Sequence, residues 1–195
     1  KLLSLQVNMP SPSRYSTPAI VIHWVTAALI FVAFPLGKYM HGLPLSPQKL
    51  ELYSYHKWLG VTVLLLFLPR LLVRLARPSP ALLPAPQWQL KLAGITHTLL
   101  YLLIALVPLS GWLMSSAKGF PVVYLGIMPL PDLVGKDKEF GNFLKEVHEA
   151  LSTGLALLVI LHLGAAVKHH LIDKDGTLHR MWPGHTKNVH TPKTS

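Results

Sequence analysis

Four long apolar runs, separated by short polar or proline-bearing stretches, set the pattern of this chain. They cover residues 18–36 (PAIVIHWVTAALIFVAFPL), 53–73 (YSYHKWLGVTVLLLFLPRLLV), 94–114 (GITHTLLYLLIALVPLSGWLM) and 147–167 (VHEALSTGLALLVILHLGAAV). Each is close to the roughly 20 residues that cross the hydrocarbon at helical rise. In lipid every backbone polar group must be satisfied within its own segment, so the runs predict helices. The expected fold is an all-α integral membrane protein, a bundle of four transmembrane helices. Pro35, Pro69 and Pro108 fall near or inside the spans and are expected to kink or end them. The loop at 115–146 has an apolar middle, which suits a segment lying on the membrane surface or capping the bundle. Residues 1–183 read as one transmembrane domain and 184–195 as a polar C-terminal tail, expected to be partly disordered. The first run is long enough to span and lacks a small-residue cleavage site, so no cleavable signal peptide is expected. No internal repeat is apparent.

Composition agrees with the pattern. The chain is 51% hydrophobic and 13% charged, with a mean hydropathy of +0.41; a soluble domain would carry about 25% charged residues. The net charge of +10 sits between apolar runs rather than among aromatic and polar residues. It therefore points to anionic membrane lipid as a partner and not to nucleic acid. The absence of cysteine excludes disulfides, thiolate-held iron–sulfur clusters and covalent haem attachment through C-x-x-C-H. With four spans, the termini and the 77–93 loop share one side. That side carries 11 of the lysines and arginines and the other carries 7. The excess is concentrated in RLLVRLAR at the end of the second run, so both termini are expected in the cytoplasm. The other side also holds six of the eight acids. It is nearly neutral overall, which gives no strong positive field to steer an anion.

Ionisable residues inside a span are candidates for function. His23, His56, His97, His148 and His162 all qualify. His23 and His162 lie at similar inner depth, His56 and His148 at similar outer depth. His148 and His162 are fourteen apart, about 40° short of four full turns, so both project from nearly one face about 21 Å apart along the axis. That separation is too large for one shared ion and suits two stacked centres. Two opposed histidines on facing helices, with an apolar slab between, match bis-imidazole ligation of two haem b irons. The pairs are His23 with His162 and His56 with His148. Gly60, one turn from His56, leaves room for a flat macrocycle. His97 has no evident partner at its depth and is left between a helix–helix hydrogen bond and a role beside a haem or quinone. Arg70 is left between an ordinary positive-inside charge and a partner for an inner haem propionate. Trp24, Trp58, Trp112 and Tyr53 sit near span ends as interfacial anchors.

Several stretches together resemble the bacterial cytochrome b561 family over nearly the whole chain: IHW at 22–24, YHKWLG at 55–60, PRLLVRLARPSP at 69–80, THTLLYLL at 96–103, SGWLMSSAKGFPV at 110–122 and LHLGAAVKHHLIDKDGTLHRMWPG at 161–184. The resemblance implies a four-helix di-haem cytochrome of the bacterial inner membrane, with His23, His56, His148 and His162 as ligands. It also implies exchange of electrons with the quinone pool, ubiquinone being the expected exchange partner. Some members of the family are described as superoxide oxidases, others have an undefined periplasmic donor or partner protein. His169 matches a family stretch and is a candidate quinone-side residue. It follows His162 by seven residues, so the two rings share a face about 10 Å apart. The alternatives are a haem-bearing anchor subunit of a dehydrogenase and a histidine-based metal transporter. The second is disfavoured because Zn²⁺ takes four ligands and no cysteine or paired carboxylate assists.

Overall fold

The structure, a computed structural model, describes residues 12–81 and 83–184. The polar tail from residue 185 onward lies outside the described residues. Four helices are long and apolar enough to cross a membrane. They are α1 (Thr17–Gly42), α2 (Pro47–Ala76), α3 (Gln87–Ala117) and α4 (Lys138–Lys168). Each begins before or ends after its apolar run, because the polar ends also find caps. The Ser46 side chain accepts from the Lys49 amide and Asp137 from the Phe140 amide, which satisfies otherwise orphaned N–H groups. Pro35, Pro69 and Pro108 all lie within helices and none ends one. The helix of the first run therefore continues past Leu36 to Gly42. We call the end carrying the described chain ends inner and the opposite end outer.

The helices pack in sequence order, α1 on α2, α2 on α3 and α3 on α4. The circuit from α4 back to α1 is bridged by side chains, His23 to His162 at the inner end and His41 to Glu149 at the outer end. The buried core is Val63, Leu100, Ile104 and Leu155, with Leu29, Ile30 and Phe67 among its neighbours. Large apolar side chains such as Leu72 and Ile160 face outward. Lipid is as apolar as they are, so the bundle is held by packing and by interior polar contacts rather than by hiding its hydrophobes.

Seven residues make nearly two helical turns on one face, and that step organises the interior in three layers. Going outward along α1 and α3, the sequence places His23, Ile30 and Gly37, and His97, Ile104 and Gly111. Going inward along α2 and α4, it places His56, Val63 and Arg70, and His148, Leu155 and His162. The α1–α2 and α3–α4 hairpins are thus position-by-position equivalents, a repeat that is carried by a few interior residues and is invisible in the sequence at large.

Both ends are closed by chain segments. At the outer end, β1 (Val123–Tyr124) and β2 (Met128–Pro129) form a small antiparallel hairpin against α2, so the 115–146 loop caps the bundle. Trp58 donates its indole N–H to the Val123 carbonyl at 2.7 Å, Trp112 to Pro131 at 3.1 Å, and Tyr124 meets Thr62 at 3.0 Å. At the inner end, α4 passes into a π-helical turn (His169–Asp173) and a short 3₁₀ turn (Leu178–Arg180). The segment then straps the start of α1. Trp24 donates to the Met181 carbonyl at 2.7 Å, and Arg180 reaches the Ala81 carbonyl at 2.5 Å. The tryptophans expected as interfacial anchors therefore also pin loops, which explains their positions at helix ends.

Candidate functional site: two histidine layers

In the outer layer the rings of His56 and His148 face each other with centroids 6.2 Å apart. His56 Nδ1 lies 3.1 Å from the Ala33 carbonyl and His148 Nδ1 lies 3.0 Å from the Val107 carbonyl. A carbonyl only accepts, so each Nδ1 carries the proton and each Nε2 keeps its lone pair. This is the outer-shell arrangement that orients a metal-bound imidazole. The contacts are equivalent in the two hairpins. Ala33 and Val107 each lie four residues before a glycine, and those glycines seat the rings. A Cβ on Gly37 would stand 3.0 Å from His56 Cε1, and one on Gly111 would stand 3.0 Å from His148 Cε1. Ser110 adds a contact to His148 Nδ1 at 3.1 Å.

Both histidines line a mainly apolar cavity of about 290 Å³ reached by all four helices, near the lower end of small-ligand sites at roughly 300 Å³. Gly60 lines it as expected, but a Cβ there would meet Pro108 only at an ordinary 3.8 Å. Gly60 leaves cavity space, whereas Gly37 and Gly111 are required by the rings. Lys38, Lys57 and Lys145 also line this cavity, with Glu149 as the acid among them. The outer side is nearly neutral as a whole, yet three of its lysines line this cavity.

In the inner layer the His23 and His162 rings have centroids 6.3 Å apart. Metal–imidazole bonds of about 2 Å put two opposed ring centroids roughly 6 Å apart, so the inner and outer pairs both have the spacing of a bis-imidazole centre. His97, without a partner by depth in the sequence, has its ring 5.2 Å from His162, too close for a metal ion ligated between them. Its Nδ1–H donates to the Ala93 carbonyl at 2.7 Å on its own helix.

Arg70 donates through Nη2 to His23 Nδ1 at 3.1 Å. Its guanidinium lies 5.2 Å over the Tyr101 ring, and its Nε is buried without a hydrogen-bond partner among the described residues. Arginine only donates, so His23 Nδ1 accepts here. Ligation through Nε2 requires the proton to move to Nδ1 and Arg70 to turn away. The unpartnered Nε suits the carboxylate of a haem. The residues of both layers therefore fit haem, the outer through its cradle and lone pairs, the inner through this buried guanidinium.

His169 is turned toward the acids of the following turn, 2.6 Å from Asp175 and 3.1 Å from Asp173. Lys168 pairs with Asp173 at 2.6 Å. Burial works to raise the Asp175 carboxyl, and hydrogen bonds from Thr177 and His169 outweigh it, leaving it below its ordinary value.

The sequence reading missed Gly37, Gly111 and the carbonyls of Ala33 and Val107. Their available signal was the shared fourteen-residue step from His23 to Gly37 and from His97 to Gly111.

Known proteins resemble the chain along most of its length. The family described as prokaryotic cytochrome b561 matches residues 14–184. The chain is 31% identical to cytochrome b561 homolog 2 of Escherichia coli (strain K12), covering 88% of this chain and 92% of that protein. It is 30% identical to cytochrome b561 homolog 1 of the same organism, over 88% and 98%. It is 29% identical to the probable superoxide oxidase CybB of Yersinia pestis, over 87% and 96%. The chain belongs to the prokaryotic cytochrome b561 family and is a multi-pass haem b electron-transfer protein of the bacterial inner membrane.

Proposed function

We propose that this chain relays electrons across the membrane through two bis-histidine haem b groups, His56 with His148 at the outer centre and His23 with His162 at the inner centre. The observation that carries the reading is the two opposed ring pairs at 6.2 and 6.3 Å, one on each side of an apolar layer. Haem b supplies reversible one-electron chemistry when bound. The chain's part is to hold and tune it. The Ala33 and Val107 carbonyls set the tautomers of the outer ligands, and Arg70 offers its charge to an inner propionate. Ile30, Val63, Ile104 and Leu155 keep water out of the space between the centres.

Both termini are cytoplasmic in this reading, and the inner end exchanges electrons with ubiquinone. His169, held by Asp175, is the proton-bearing group there, and His97 is a second polar contact. Reduction of a quinone to a quinol takes two electrons and two protons, and an imidazolium can deliver one of the protons. A pyridine haemochrome assay is expected to give two haems per chain, both six-coordinate and low-spin. One haem, or a high-spin spectrum, would reject the proposal. His169→Ala is expected to slow quinone-dependent haem oxidation at unchanged haem content.

A periplasmic anion is the favoured donor because Lys38, Lys57 and Lys145 gather at the outer cavity. Superoxide is the leading candidate, given the name of the Yersinia pestis relative. Its oxidation to dioxygen gives one electron, so two turnovers are needed per quinol. Mixing oxidised protein with superoxide, quinol or ascorbate in a stopped-flow spectrometer discriminates the donors. Haem reduction by superoxide that is independent of ionic strength would remove the role of the lysines.

A further inference from the structure

The inner end holds a second cavity, distinct from the space between the histidine rings. Its wall includes Ser16 before α1 and Arg70, Arg74 and Arg77 at the end of α2. The three arginines recur at four- and three-residue steps, one face of the last two turns. Tyr101 of α3 and Met181 of the C-terminal strap also line it, and among the described residues no acid does. Its volume is about 40 Å³, against the roughly 10–15 Å³ that one water needs on this measure. Ser16 Oγ, buried in its wall, has no hydrogen-bond partner among the described residues. Arg74 is held toward the cavity by its bond to the Ser79 hydroxyl.

Arginines around a small cavity, beside an unsatisfied Ser16 hydroxyl and with no acid among the described residues of the wall, suit an oxyanion. The cavity's place in the bundle says which kind. It lies where α1 begins and α2 ends, the depth of lipid headgroups. The adjoining outward surfaces, Val21 and Val25 on α1 and Leu72 and Leu75 on α2, are exposed and apolar. We propose that this cavity is a specific site for the phosphate of an anionic phospholipid. Arg74 and Arg77 contact the phosphate oxygens, Ser16 donates its hydroxyl, and the acyl chains run along α1 and α2. The site lies beneath the strap and ties it to the bundle. Arg70 lines this cavity but also bonds His23 through Nη2, so the test leaves Arg70 unchanged.

Full-length holoprotein in detergent is titrated with phosphatidylglycerol, phosphatidylcholine or inorganic phosphate, and read by thermal unfolding and by native mass spectrometry. One phosphatidylglycerol is expected to remain bound and to raise the unfolding temperature above the phosphatidylcholine value. Arg74→Gln with Arg77→Gln is expected to weaken retention by about five-fold for each charge removed, with both haems kept. Ser16→Ala, which removes no charge, is expected to weaken it by less. Equal stabilisation by inorganic phosphate would make this a free-anion site and overturn the lipid assignment. Equal retention in the arginine double variant would reduce the effect to general surface charge. Retention by apoprotein but not by holoprotein would show that a haem carboxylate occupies the cavity.

Discussion

The outer and inner histidine layers solve one problem in different ways. The outer layer is nearly symmetric. Each hairpin contributes one histidine, one backbone carbonyl that fixes its tautomer, and one glycine against which the ring lies. The inner layer has the same four positions filled by His23, Arg70, His97 and His162. Arg70 stands on α2 where α4 has His162, so the first hairpin pairs an arginine with its histidine and the second pairs two histidines. The outer histidines donate hydrogen bonds to backbone carbonyls, while His23 faces a cation. An imidazole that donates to a carbonyl gives more electron density to a metal than one beside a guanidinium. The outer centre is thus built to bind by fit, and the inner one carries adjustable charge.

Removing an outer ligand tests this difference most severely. His56→Ala is expected to lower the haem content from about two per chain to about one, with the inner spectrum largely kept, because the layers share no ligand. Loss of the inner haem alone would overturn the pairing. The ring seats should respond next. Gly111→Val places carbon where His148 now lies and is expected to cost about 1–3 kcal/mol through displacement of the ring, seen as weakened retention of the outer haem. Gly60→Ala lines the same cavity, meets only Pro108 at 3.8 Å, and should retain the outer haem more firmly than Gly111→Val. Equal loss in both would show that cavity volume, not ring seating, matters.

Arg70→Gln probes the inner layer. Removing the partner of a buried carboxylate can cost as much as about 3–5 kcal/mol, and less where the end of the bundle meets solvent. The inner haem should be held more loosely and its potential should fall, since a nearby cation favours the reduced form. The outer potential should stay in place. Equal shifts at both centres in a redox titration would mean that Arg70 acts as general charge and not on the inner layer.

Much of this was legible in the sequence because a membrane span needs a long apolar run, and a polar ring inside such a run stands out. The four spans and the two histidine pairings came from length, depth and helical phase, and the structure brings those same rings together. The partner of His97 was not legible. Depth along a helix does not tell which neighbour it faces, and that depends on how α3 rotates against α4. Gly37 and Gly111 were missed because a glycine's role here is to leave space for a side chain from another helix. The prolines left open whether a helix kinks or ends. Proline removes one hydrogen bond and strains the turn before it, but Pro35 is followed by two further helical turns whose remaining bonds and packing carry the helix through.

The smallest expected effect lies at the C-terminal strap, which is tied to the start of α1 through Trp24. Asp175 binds His169 at 2.6 Å and accepts from the Thr177 amide at 2.9 Å. Burial opposes its ionisation, but these bonds prevail and hold the carboxyl below its ordinary 3.8. A carboxyl depressed on folding stabilises the folded turn fully at pH values above its unfolded value. That contribution is lost as pH falls through about 4 and then through the lower folded value. The pair is partly exposed, so the effect is about 1 kcal/mol or less. Amide exchange at residues 174–181 is expected to accelerate, relative to the Asp175→Asn variant, as pH falls from about 5 to 3. The variant should exchange faster than the native chain at neutral pH and show little of this acid step. An identical acid step in both proteins would assign the titration to another group and leave the strap independent of Asp175.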